Sequence, residues 1–226
     1  MTDRINEIDI LRGLAVVFMI VFHTFVDLYE FFGGGINYNY GVVFYIGRAA
    51  AFLFIFISGI SATFSHNNLK NALCVFLCGC LISVATYFFI PESFVIYGVL
   101  QFLSTCMLIY HFLKKLSPGR FLSLAVIAFI LGAAIKGFYV DFWFLLPFGI
   151  YPEGFQTMDY YPIFPYASLF FLGSYIGKIL YKERKTYFRG FDIIPLRFLG
   201  KYSLLVYMIH QPVIYGILTI LQKNTI

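Results

Sequence analysis

Ile8-Asp-Ile-Leu-Arg12-Gly-Leu-Ala-Val-Val-Phe-Met-Ile-Val-Phe22-His23-Thr-Phe-Val-Asp27-Leu-Tyr-Glu30-Phe-Phe32 is an apolar run broken by a few ionisable side chains. Crossing the hydrocarbon core of a bilayer takes about 20 helical residues, and this stretch supplies them. Runs over residues 42–64, 71–90, 94–113, 121–138, 163–181 and 202–221 have the same character. Glycine-bearing or polar joints separate them, such as Gly33-Gly-Gly-Ile-Asn-Tyr-Asn-Tyr-Gly41, Pro91-Glu-Ser93 and Leu116-Ser-Pro-Gly-Arg120. No run alternates in polarity, and hydrocarbon leaves no water for unpaired backbone groups, so these are helices rather than strands. The predicted fold class is an all-α integral membrane protein, a polytopic bundle of about seven transmembrane helices. It forms a single transmembrane domain over residues 1–226.

Composition points the same way. Of 226 residues, 61% are hydrophobic and 12% charged, with 29 Phe and 18 Tyr, and the mean hydropathy is +0.84. Soluble domains carry about 45–50% apolar and about 25% charged residues, so a water-soluble fold would have to place Phe and Ile over its surface. The spans leave no room for a separate soluble catalytic domain, and any chemistry must sit in the helices or at their mouths. The N-terminal segment is mixed in charge and lacks the basic start and short apolar core of a cleavable signal, which predicts a retained first span.

Every Lys and Arg except Arg48, Lys136 and Lys223 falls on one set of flanks when the N-terminus is placed in the cytoplasm. The positive-inside rule then predicts N-terminus in and C-terminus out. The same rule accounts for the net charge of +5 without nucleic acid. It alone predicts the basic loop Lys182-Glu-Arg-Lys185 with Arg189, whose charge would also serve to bind anionic lipid or a phosphorylated cytoplasmic substrate. The four cysteines, Cys74, Cys78, Cys80 and Cys106, lie in apolar stretches without metal-ligand spacing, so no metal is expected.

A charged group near the bilayer centre costs about 2.5–3.5 kcal/mol on insertion scales and calls for a partner or a role. Arg12, His23, Asp27 and Glu30 follow spacings of eleven, four and three. Eleven helical steps return to within about 20° of the start, so the four form one stripe. Arg48, shortly below the start of the second span, shares a depth with Asp27 in an antiparallel hairpin, which offers an Asp27–Arg48 pair above His23. Gln101 in the fourth span and His210 with Gln211 in the seventh add polar groups. Pro212 should bend the seventh span and free a backbone acceptor. The segment 137–162 is too short to span and rich in aromatics, with Asp159 among them. It suits an interfacial cap, an aromatic belt or a sugar-binding surface.

Residues 4–22, reading R-x-x-E-I-D-x-L-R-G-L-A-V at their start and leading into His23-Thr-Phe, resemble the opening of the transmembrane acyltransferase superfamily. Phe56-Ile-Ser-Gly-Ile-Ser61, Tyr97-Gly-Val-Leu-Gln101, Asp159-Tyr-Tyr-Pro-Ile-Phe-Pro165 with Leu172-Gly173, and the run ending Met208-Ile-His-Gln-Pro212 are similar to small prokaryotic members of the heparan-α-glucosaminide N-acetyltransferase group. The resemblance implies an enzyme that moves an acyl group, usually acetyl from cytoplasmic acetyl-CoA, to a sugar or glycan on the other side. No organelle address appears, so a multi-pass protein of the cell (plasma) membrane is the default expectation, with membrane lipids, acyl-CoA and the glycan acceptor as expected partners and a homodimer left open. Arg12 and His23 match the superfamily's Arg-x(10)-His arrangement, with the histidine catalytic. Residues 24–54 contain no histidine, which leaves acid/base or nucleophilic work to His23, oriented by Asp27 and assisted by Arg48. Arg12, Gln101, Asp159, His210 and Gln211 are then the substrate- and acyl-CoA-binding set. The rival class is a non-enzymatic proton-coupled carrier or channel built on the same His, Asp and Arg.

Overall fold

The structure, a computed structural model, describes residues 5–34, 36–182, 186–187 and 192–223. Among them are α1 (Asn6–Glu30), α2 (Gly41–Phe64), α3 (Asn68–Phe89), α4 (Val99–Leu113), α5 (Pro118–Ile135), α6 (Ile163–Leu180), α7 (Ile194–Lys201) and α8 (Ser203–Lys223), with a 3-10 helix at Trp143–Phe148. Local chemistry sets the ends. Asn67 caps α3 by accepting from the Lys70 N–H, and Ser117-Pro118 opens α5 with proline in its first turn, where no donor is lost. Six helices, α1, α2, α3, α5, α6 and α8, are long and apolar enough to cross a membrane. Large apolar side chains on their outer faces stay exposed, with Phe89 at 85% and Phe88 at 76%. Such faces suit lipid and not water. The chain is therefore an all-α, multi-pass helical membrane protein.

The fourth expected span differs. α4 has 15 residues, about 22 Å at 1.5 Å per residue against a hydrocarbon core of about 30 Å. Residues 94–98 are not helical, because their backbone pairs with the distant 157–161 segment. Tyr161 N–H donates to Tyr97 O at 3.1 Å, Met158 N–H to Ser93 O at 2.9 Å and Thr157 Oγ1 to Phe94 O at 2.7 Å.

The chain divides into two compact units, Met1–Phe54 with Lys185–Ile226, and Ile55–Arg184. In the first, α1 packs on α7 and α8. Gly13 and Gly200 make the α1–α7 contact close. A Cβ on Gly13 would overlap the Leu196 carbonyl, and one on Gly200 the Asp9 carbonyl. Val16, Met19 and Ala50 form an apolar cluster with Phe18, Ile20, Phe54, Val206 and Tyr207 around it.

In the second unit, α5 packs on α6 and α3 on α4. Gly59 and Gly173 let α2 and α6 meet backbone to backbone, each standing where a Cβ would strike the other helix, at the Phe170 and Phe56 carbonyls respectively. Ser174 Oγ, fully buried there, donates to Phe170 O at 3.0 Å and Gly59 O at 3.2 Å. Small residues at a lipid-embedded crossing permit this approach. The 137–162 segment is ordered by the 3-10 helix and by ring contacts among Trp143, Tyr151, Phe155 and Tyr160, whose centroids lie 5.3–6.1 Å apart. Tyr160 donates its hydroxyl to Leu146 O at 2.6 Å.

Candidate functional site

A group of buried and half-buried polar side chains in the first unit lies where α1 meets α8. His23 and Asp27 are one turn apart on α1, and His210 and Gln211 are adjacent on α8. The two imidazole rings approach to 4.9 Å between centroids at 59°. Gln211 Nε2 donates to Asp27 Oδ1 at 2.5 Å. Asp27 is 0% exposed and His210 is buried, whereas His23 is half-buried. His210 Nδ1 lies 2.6 Å from Tyr207 O. A carbonyl oxygen only accepts, so Nδ1 carries the hydrogen and Nε2 presents a lone pair. Asp27 Oδ2, His210 Nε2 and Gln211 Oε1 are buried without a hydrogen-bond partner. Buried polar groups are normally satisfied, and clusters of exceptions mark reactive or ligand-binding places.

This geometry corrects two expectations about Asp27. It holds neither Arg48 nor His23, because Gln211 from α8 takes one carboxyl oxygen and the other has no partner. The Arg48 guanidinium instead lies 5.1 Å from the ring centroid of Phe44, one turn away on its own helix. Arg12, at the far end of the α1 stripe, is ion-paired with Asp9 at 3.0 Å. Eleven residues of helix put it about 16 Å from His23. Asp9 and Glu7, the two acidic positions of the opening motif, are both buried. Glu7 Oε1 accepts from the Tyr187 N–H at 3.0 Å. The signal for Asp9 was its place three residues before Arg12, a helical pairing distance.

Gln101 and Asp159 come together in the second unit at the start of α4. Gln101 Oε1 accepts from the Gly98 N–H at 3.1 Å, and its amide donates to Gly79 O at 2.9 Å and Ser83 Oγ at 2.8 Å. Asp159 Oδ2 accepts from the Val99 N–H at 3.0 Å. Two of the orphan donors of α4 are thus met by side chains. Burial pushes the Asp159 carboxyl up to about 6, against the Val99 hydrogen bond, which acts in the opposite direction. Beyond α1, Tyr38 donates to Glu30 Oε1 at 2.7 Å. Burial, and then the Glu30 carboxylate, push that phenol up to about 12.

Residues 4–212 match the sequence model of a family described as heparan-alpha-glucosaminide N-acetyltransferase, catalytic. The chain belongs to this family. The match spans both compact units and ends on Pro212, so it takes in His23, Asp27 and the whole His210-Gln211-Pro212 turn. No curated protein and no solved structure matches the chain.

A cavity of about 420 Å³ opens at the ends of α2, α5 and α6, between Thr63, Pro118, Lys178, Tyr181 and Lys182. Lys178 Nζ donates to Lys114 O at 2.7 Å there. Of the basic loop, Lys182 is described, and Arg184, Lys185 and Arg189 lie outside the described residues, as does Arg4 of the opening motif. Among the described residues no three His, Cys, Asp or Glu side chains are grouped as metal ligands.

Proposed function

We propose that the protein is a membrane-embedded acyltransferase that moves an acyl group, with acetyl the first choice, from cytoplasmic acyl-CoA to a sugar or glycan acceptor on the opposite side. The observation that carries this reading is the contact of the His23 and His210 rings beside the Gln211–Asp27 hydrogen bond in a chain of an N-acetyltransferase family. Imidazole is suited to accept and return protons near neutral pH. Arg12, toward the N-terminal end of α1, would meet the donor's phosphates, since a guanidinium binds phosphate by paired charge-assisted hydrogen bonds. The pantetheine arm would carry the thioester along α1 toward His23. Arg48, on the chain's second helix, would stabilise negative charge developing on the acyl oxygen.

The test is CoA release from acetyl-CoA by purified protein in liposomes, with and without glucosamine, N-acetylglucosamine or glucose. Acceptor-dependent release that falls with His23→Ala supports the reading. Potential-dependent flux of protons or small ions without CoA release or CoA binding would instead support a carrier. A thermal-shift assay against CoA separates the two early, since a ligand that binds only the folded state raises Tm.

A further inference from the structure

The three unpartnered atoms at the α1–α8 seam share one hydrogen-bonding sense. His210 Nε2 bears a lone pair, because Nδ1–H is held by Tyr207 O. Gln211 has its amide nitrogen on Asp27 Oδ1, which leaves its carbonyl Oε1 to accept. With its carboxyl ionised, Asp27 Oδ2 also accepts. All three are buried. Acceptors cannot satisfy one another. Pro212 adds a fourth on the same turn of α8, since it has no N–H to give the Met208 carbonyl. A group that enters here must bring hydrogens. Phosphate and carboxylate bring acceptors and negative charge, so the nucleotide end of a CoA donor does not belong at this seam.

We propose that the seam receives the acyl acceptor by an O–H or N–H group, and that His210 Nε2 is the atom that removes its proton. The assignment rests on the acyl-transfer reading above. As the acceptor oxygen or nitrogen forms its bond to the acyl carbon, its proton passes to His210 Nε2. The carbon–sulfur bond then breaks, and the leaving sulfur takes that proton from the imidazolium, giving acylated acceptor and CoA thiol with His210 neutral again. The Tyr207 carbonyl fixes the tautomer throughout, as backbone or carboxylate oxygens do for other working imidazoles. His23, half-buried and 4.9 Å away between ring centroids, is left to the acyl carbonyl, where an N–H polarises the oxygen.

The experiment measures acceptor-dependent CoA release by proteoliposomes containing wild type, His210→Ala or His210→Gln, with glucosamine, N-acetylglucosamine or glucose as acceptor and with or without added imidazole. His210→Ala should slow release by about 10²–10⁴-fold, the usual share of general acid–base catalysis, and imidazole should restore part of it. His210→Gln keeps side-chain bulk without a basic nitrogen and should stay slow with or without imidazole, which keeps the test decisive if the alanine variant fails to fold. Wild-type release by either variant, or a folded His210→Ala variant that is slow and not rescued, overturns the assignment while leaving acyl transfer standing. Absence of release by wild type with every acceptor removes the acyl-transfer reading, and the role of His210 with it.

Discussion

Gln211 on α8 donates its side-chain amide to the buried carboxyl of Asp27 on α1 at 2.5 Å, one turn of α1 away from the histidine that meets His210. The bond ties two helices from opposite ends of the chain and fixes which way each amide and carboxyl group faces. It leaves the remaining atoms of both residues with the same need for a donor.

Replacing Gln211 by Leu leaves Asp27 at 0% exposure without its hydrogen bond. Unsatisfied buried polar groups cost about 1–3 kcal/mol, so Gln211→Leu should lower the thermal midpoint in detergent. Adding Asp27→Leu to it should recover part of the loss, because both partners are then apolar. Equal and additive losses in the double-mutant cycle would show that the two side chains are not coupled.

The α1–α7 contact makes a steric prediction. Gly200→Ala places a methyl group on the Asp9 carbonyl, and overpacking of this kind costs about 1–3 kcal/mol. Gly119→Ala, in the first turn of α5 with nothing within 4 Å of its Cβ, is the matched control and should be neutral or slightly stabilising. A thermal melt of both variants checks this. Equal behaviour would remove the close approach from the account.

Asp159 gives a pH dependence with a defined sign. Its carboxyl is pushed up from 3.8 to about 6 in the folded protein, so the folded state binds more protons than the unfolded one between those values. The associated stability is fully present below about pH 4 and is lost as pH rises through about 6. Asp159→Asn keeps an oxygen for the Val99 N–H and should flatten that part of the curve of Tm against pH. A wild-type slope retained in Asp159→Asn would assign it to another group.

The helical membrane class was legible because about 20 apolar residues in a row have few other uses. The His210-Gln211 pair stood out for the same reason, as polar groups inside an apolar run. Arg48 shows what depth alone leaves open. Shared depth offered Asp27 as its partner, but the guanidinium lies against Phe44, one turn away on its own helix, and Asp27 is held by Gln211. The unwinding of 94–98 depends on hydrogen bonds to a segment about 60 residues away in the chain, which local apolarity cannot reveal. α7 was missed because eight residues make no span, and Gly200 acquires meaning only beside α1. The pairing of Gly59 with Gly173 was likewise hidden, although each glycine sat in a motif quoted for family resemblance.

The most direct measurement of the central claim is transfer of labelled acetyl across a sealed proteoliposome, from acetyl-CoA on the side of Arg12 to a sugar on the other side. Acyl transfer predicts labelled sugar with wild type and a loss of at least about 100-fold with His23→Ala, the lower range for removing a donor to the developing charge on the acyl oxygen. Labelled sugar formed at the wild-type rate by His23→Ala would contradict it.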